Sequence, residues 1–396
     1  MQLTLRRQLM QFSHTLQQEL FPRLEEAVGA LSASARLLIA VINMAPLRRF
    51  VPVAQGWNGR PQKDRYAIAC ALIAKAVYNI PNTSKLIERL KDDEQLRQIC
   101  GWRRPQEIPH ESTFSRAFAE FALMQLPQTV HETLIRETQK GRLVGHIARD
   151  STAIAARERF PEQETKAGKK SKKSKAQPAQ KASRRECKPK PRKMRNGRKV
   201  RVNSTGAPTR LMRQRTMKLP EMLAELSQQC GIGVKASSSG YSRYWRGYKL
   251  HLDVADGQIP ITAIITGANV HDSQVAIPLA TMTAQRVTSL YDLMDSAYDA
   301  HEILEHSRSL GHVPIVAPKN CGRTTKNVLV RAVRRQLSWA EEQRFRERTS
   351  VERVYARLKD EFGGRNVRVR GADKVMSHLM FGVLALTVDQ LLRLSG

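Results

Sequence analysis

The chain has 396 residues, long enough for a large buried core and for two domains. Lys and Arg total 67 against 36 Asp and Glu, giving a net charge of +31 that points to a polyanionic partner, nucleic acid ahead of an anionic membrane. Apolar runs such as 379–388 reach only core-helix length, which argues against a membrane span.

The N-terminus, broken up by Arg6, Arg7, Gln8, Gln11 and His14, is expected to lack a signal-peptide core. Cys70, Cys100, Cys187, Cys230 and Cys321 are scattered, odd in number and without a CxxC pair. They favour a reducing compartment over a disulfide framework or a zinc site.

Residues 1–140 read as helical. Leu16, Leu20, Leu24, Ala27 and Leu31 recur at three- or four-residue steps, and Tyr66 to Tyr78 has the Ala, Ile and Leu content of a buried helix. Pro81 and Asn82 break it, and Thr83-Ser84 can cap a helix with Leu86, Ile87 and Leu90 inward. Beyond a loop bounded by Pro105 and Pro109, His110 to Thr113 leads into Phe114, Phe118 and Phe121. That helix either only packs, or its start, with Ser112, Thr113, Ser115 and Arg116, touches DNA phosphates.

Strand texture begins at Leu143 to Ala148 and ends at Asp150-Ser151-Thr152, an acid where α/β sheets present their chemistry, or a simple cap. From Lys166 to Arg215 the sequence is basic and rich in Ala, Gln, Pro and Ser, with nothing to form a core. It reads as a flexible insertion, either gripping phosphates without sequence preference or simply solvated. Leu219 to Leu226 reads as a short helix. Next, Tyr248, Leu250, Leu252 and Val254 alternate with Lys249, His251 and Asp253, the period of a half-buried strand. Asp256-Gly257 turns it into a hairpin whose second arm is Ile259 to Thr266.

Asn269 or Asp272 can cap a helix running to Arg286. A strand from Val287 to Leu293 leads to Asp295-Ser296-Ala297-Tyr298-Asp299, and Asp299 caps a helix ending at Gly311. His312 to Pro318 is a further strand, followed by a basic connection through Lys319, Arg323, Lys326, Arg331, Arg334 and Arg335. Met376 to Leu394 closes the chain as an amphipathic helix.

Between these lies the most informative stretch. Read as one helix, Phe345, Arg348, Glu352 and Lys359 share a face within roughly 60° of arc, opposite an apolar stripe of Val351, Val354, Tyr355, Leu358 and Phe362. An Arg348–Glu352 pair on an exposed helix is the simpler explanation. Lys359 is too distant to join it, and a carboxylate between cations suits a site that holds metal through the acid and phosphate through the bases. With Asp150 and Asp295 at strand ends and Glu352 on a helix, a carboxylate cluster for two divalent cations is the reading of the whole.

These residues resemble a DDE transposase of a bacterial insertion sequence, with a ribonuclease H-like catalytic domain. The helix signature of that group is tyrosine–two–arginine–three–glutamate–six–lysine, matched in spacing by Phe345, Arg348, Glu352 and Lys359; Phe345 removes the tyrosine hydroxyl. Asp150-Ser151-Thr152, Asn269-Val270-His271-Asp272, Asp295 to Asp299, and the helical stretch containing Ser112-Thr113-Phe114-Ser115-Arg116 are the further matches.

The resemblance implies an α/β fold, a mixed sheet flanked by helices. A helical DNA-binding and assembly domain over 1–140 would precede a catalytic domain over 141–396, interrupted by a basic, partly disordered insertion at 165–240. It implies two magnesium ions, replaceable by manganese, on Asp150, Asp295 and Glu352, and DNA contacts from Arg348, Lys359, His271 and Arg116. The expected partners are double-stranded DNA and a second copy on that DNA, with no membrane, in the cytoplasm at the nucleoid. The expected activity is cleavage of element ends and transfer of the 3′-hydroxyls to a target; an inactive or domesticated DNA-binding relative is the alternative. Asp292, and more distantly Asp253, compete with Asp295 for the second acid.

Overall fold

The computed structural model describes residues 5–52, 62–158, 208–236, 242–317 and 337–395. Most of the basic insertion and the basic connection at 319–335 lie outside them.

The first part is helical: α1 (Leu5–Thr15), α2 (Phe21–Val28), α3 (Ala33–Met44), α4 (Arg65–Val77), α5 (Thr83–Asp92), α6 (Glu94–Ile99), α7 (Glu111–Leu123) and α8 (Leu126–Thr138). Side-chain oxygens fix several starts. Asp64 accepts from the Tyr66 N–H at 2.8 Å to open α4. Asn82, expected only to break the preceding helix, is itself the cap of α5, accepting from the Lys85 N–H at 2.8 Å.

Among the described residues the sheet has six strands: β1 (Leu143–Ala155), β2 (Gly231–Ala236), β3 (Ser242–Ala255), β4 (Ile259–Gly267), β5 (Thr288–Met294) and β6 (Val313–Val316). Short helices α9 (Arg210–Gln214) and α10 (Leu219–Ala224) precede β2. β3 is antiparallel to β1, β4 and β2, whereas β5 is parallel to β1 and β6 to β5. With α11 (Ser273–Ala284), α12 (His301–Ser309), α13 (Trp339–Arg346), α14 (Thr349–Asp360) and α15 (Ala372–Ser395), this is the expected mixed sheet flanked by helices, a ribonuclease H-like fold.

Several expectations are corrected. β1 does not end at Asp150-Ser151-Thr152 but continues to Ala155, because its pairing with β3 runs on as far as Ala155–Gly247. From Leu250 to Ala255 β3 is not half-buried: His251 and Asp253 are as inaccessible as Leu250 and Leu252. One face packs on α14 and the other on α11, so the strand is covered on both sides. α12 begins at His301 with Ala300, not Asp299, in the capping position. The Phe345–Lys359 face is not one helix: Glu347 and Arg348 form a turn between α13 and α14.

α15 ties the two parts together. It begins at Ala372 rather than Met376 and is apolar on nearly all sides, not amphipathic, with Val375, Leu379, Met380, Val383, Leu384, Val388 and Leu391 all buried. Its length and mean hydropathy of 1.5 reach those of a bilayer span, unlike the shorter runs apparent in sequence. Within the fold, however, 83% of the apolar window is buried, against α1, α3, α4, α7, α8 and β4. Leu38, Ile73, Phe114 and Leu134 from the first helices share one core with Ala148, Leu252, Val351 and Leu384.

Candidate active site

Asp150 lies on β1 and Asp295 directly follows β5. The parallel ladder ends with Arg149 beside Met294, so Asp150 and Asp295 occupy the next step of adjoining strands, whose backbones run roughly 5 Å apart. The Asp295 carboxylate accepts from the Ala297 N–H at 2.8 Å, which fixes the turn after β5. Asp150 accepts from the Ser151 N–H at 2.8 Å. Burial pushes the Asp150 carboxyl up to about 6, a shift opposed by that N–H and by Arg348 and reinforced by the negative charges of Asp295 and Asp272.

Glu352 comes from α14. The helix buries Val351, Val354 and Leu358, as the spacing predicts, and turns Glu352 outward. Arg348 donates to Glu352 at 2.5 Å, and its other terminal nitrogen lies 3.6 Å from Asp150. A single guanidinium therefore stands between two of the predicted acids. It also lies 5.9 Å from the ring of Phe345. Lys359, at the far end of α14, donates to Thr152 at 2.6 Å. Asp150 and Thr152 are two residues apart on β1 and so face the same side.

Tyr355 joins these pieces, a role its place in the apolar stripe conceals. Its hydroxyl donates to the Asp150 carbonyl at 2.7 Å, lies 3.1 Å from the Leu250 carbonyl, and accepts from the Leu252 N–H at 3.0 Å. Asp150 and Leu252 are paired across β1 and β3, so the phenol anchors α14 at the level of the first acid. Burial pushes its pKa well above the ordinary range, so it remains a donor.

The competing acids are occupied elsewhere. Asp253 takes both oxygens to Arg149, at 2.8 and 2.7 Å, and Thr283 donates to it at 2.6 Å. Asp292 accepts from Ser307 at 2.5 Å and lies 3.2 Å from His312. Burial opposes the ionisation of Asp292, but His312, Arg149 and Ser307 together hold its pKa below the usual value. Both carboxylates are buried inside the sheet layer with the fully buried Arg149.

The remaining predicted contacts are dispersed. His271 is exposed at the start of α11, where Nδ1 accepts from the Ser273 N–H at 3.3 Å and lies 2.8 Å from the Ser273 hydroxyl. Asp272 occupies the capping position but makes no cap; its carboxylate instead receives Lys249 at 2.9 Å. Arg116 is exposed on α7 and donates back to the Ser112 carbonyl at 3.2 Å. It borders a polar cleft of about 560 Å³ with Lys63, Arg65, His110, Ser112 and Thr113.

Among the described residues, no three His, Cys, Asp or Glu side chains are gathered closely enough to hold a metal. Asp150 and Asp295 adjoin, and Glu352 is drawn to Arg348. The donor chemistry is nevertheless that of a hard cation: carboxylate oxygens, with negative charge concentrated around a desolvated Asp150.

Residues 215–388 match the family described as Transposase DDE domain, and residues 22–120 match a Transposase domain (DUF772). Together the two matches support an insertion-sequence DDE transposase. The first match contains Asp295, Glu352 and Lys359; Asp150 lies outside both matches. No curated protein matches the sequence significantly. The two matches support a DNA transposase function in general and give a DNA-binding, nuclease and transferase context to the acids of the sheet.

Proposed function

We propose that the transposase cuts the ends of its own element and joins the freed 3′-hydroxyls to target DNA, with Asp150, Asp295 and Glu352 as its acid set. The observation that carries this reading is the adjoining position of Asp150 and Asp295 on parallel strands, with Arg348 reaching from Asp150 to Glu352. Asp150 and Asp295 would hold magnesium, with Glu352 as the third donor and manganese as a substitute. A pair of such ions supplies activation of the attacking oxygen and neutralisation of the leaving oxygen in phosphodiester chemistry.

The chain's own residues do the rest. Arg348, a planar guanidinium, suits a phosphate of the element end and leaves Glu352 to the cation when it turns to DNA. Lys359 presents an ammonium that, among the described residues, has no ion-pair partner, so its charge is available to a backbone phosphate. His271 and Arg116, both exposed, extend the contact with the duplex at two further places. Tyr355 holds the Asp150 backbone against α14, so Asp150 and the helix bearing Glu352 keep their relative position.

In this reading residues 1–140 bind DNA and assemble a dimer on paired ends, residues 141–396 carry the chemistry, and the protein works in the cytoplasm at the nucleoid. The test is magnesium-dependent nicking of a duplex carrying the gene's own flanks. A nick at a defined end supports the reading. Tight binding to those flanks with no nick in magnesium or manganese would favour a DNA-binding relative without activity, as the missing hydroxyl at Phe345 would suggest.

A further inference from the structure

β2 and the first half of β3 form a two-stranded ribbon beyond the main sheet, pairing from Gly231–Gly247 to Ala236–Ser242. Alternation gives it two faces. On one, Trp245 lies across Gly233, whose glycine is required there because a Cβ would stand 2.2 Å from the indole ring. The same face carries Lys235 directly opposite Arg243. Both are exposed, and among the described residues neither has an acidic partner within ion-pair distance. Like charges placed opposite one another across a ladder destabilise it. A ribbon that keeps such a pair, with no carboxylate among the described residues to offset it, is built to meet an anion.

The ribbon also connects to the acid cluster. β1 carries Asp150 and Thr152 and reaches its end at Ala155, beside Gly247, where the ribbon begins. Lys359 is bonded to Thr152. The ribbon therefore continues β1 and β3 beyond the level of Thr152 and Lys359.

We propose that this ribbon is a DNA phosphate-binding arm, in which Lys235 and Arg243 grip the backbone of the strand that leaves the acid cluster past Lys359. The inference rests on the DNA reading given above and adds to it a surface that no motif of the sequence marks. The partner is committed by charge: a polyanionic backbone offsets the opposed cations, and a neutral or basic protein surface would not.

The test is the salt dependence of binding to a duplex oligonucleotide of arbitrary sequence, comparing wild type, the Lys235→Ala/Arg243→Ala double variant and Arg393→Ala. Arg393 is exposed near the end of α15, whose Leu394 lies against Gly257 at the far end of β3 from the ribbon, and serves as the control for loss of charge alone. Removing two phosphate contacts should make the slope of log affinity against log salt shallower by about 1.8, while Arg393→Ala leaves it unchanged. The basic segment outside the ribbon is common to all three proteins and cancels. Relief of the opposed charges should keep the double variant at least as resistant to urea as wild type, so misfolding is detected separately. If wild type binds with a steep slope and the double variant has the same slope, the ribbon is not an arm and the DNA reading stands. If wild type shows no salt-dependent binding at all, both fail.

Discussion

Replacing Tyr355 with Phe removes one oxygen and leaves the ring. The hydroxyl is buried between β1 and β3 and serves three backbone groups: the Asp150 and Leu250 carbonyls and the Leu252 N–H. Lost net hydrogen bonding is worth about 1 kcal/mol per bond, and a buried N–H left without an acceptor costs about 1–3 kcal/mol. The variant should therefore lose about 2–4 kcal/mol, less if a water enters the site. Urea unfolding followed by tryptophan fluorescence measures the loss. The same substitution frees the Asp150 backbone from α14, so end cleavage should slow at saturating DNA while affinity is unchanged, because Tyr355 itself is buried. A Tyr355→Phe protein that unfolds at the wild-type urea concentration and cleaves at the wild-type rate would refute both steps.

Three further outcomes follow from the same geometry. Asp253→Ala leaves the buried Arg149 guanidinium without its bidentate partner and should cost about 3–5 kcal/mol in urea unfolding; an effect below about 1 kcal/mol would mean that Asp292 alone satisfies Arg149. Lys359→Met should weaken duplex binding about tenfold, the loss of a charge-assisted contact of about 1.4 kcal/mol, yet leave stability equal or higher, since burial and neighbouring cations already disfavour its charge; unchanged affinity in a gel shift would remove Lys359 from the interface. Burial holds His131 down to about 3 and His251 and His378 down to about 4. The unfolded chain binds protons at these sites below about 6.5 while the folded chain does not, so stability is full above that pH and falls as pH drops toward 4. The loss at pH 5 is roughly 2 kcal/mol for each histidine. The raised pKa values of Asp150, at about 6, and of Asp253 act in the opposite sense, whereas burial also lowers His306, to about 4, and His146, which adds to the loss. Calorimetric melting should show a lower Tm at pH 5 than at pH 7; equal Tm values would contradict the assignment of neutral buried histidines.

What the sequence made legible follows from periodicity. Val351, Val354 and Leu358 recur at helical spacing, and the helix forms with that stripe inward. Asp295 follows a short apolar run, and it emerges where the strand stops. Contacts between residues far apart in the chain left no such trace. Arg149 and Asp253 stand 104 residues apart, so nothing local says that Asp253 is neutralised inside the sheet and unavailable to a cation. Tyr355 has the spacing of a core residue, and its hydroxyl acquires a role only when β1 and β3 are paired beside it. β2 is short and glycine-containing, with Gly233 present to admit Trp245 from the neighbouring strand, so its propensity alone gives no strand signal. The turn at Glu347–Arg348 was hidden because both residues keep right-handed helical dihedrals while the hydrogen-bond pattern changes.

The central claim is that Asp150, Asp295 and Glu352 form one acid set, whereas Asp253 and Asp292 hold the sheet together behind it. Single-turnover cleavage of a duplex carrying the element's end tests it most directly. The enzymes to compare in magnesium are wild type and Asp150→Asn, Asp295→Asn, Glu352→Gln and Asp292→Asn, with binding measured on the same DNA. The account predicts that the first three variants bind at wild-type strength and do not cut, and that Asp292→Asn, where it remains folded, still cuts. Cleavage by Asp295→Asn together with a folded but inactive Asp292→Asn would contradict it and move the second acid into the sheet.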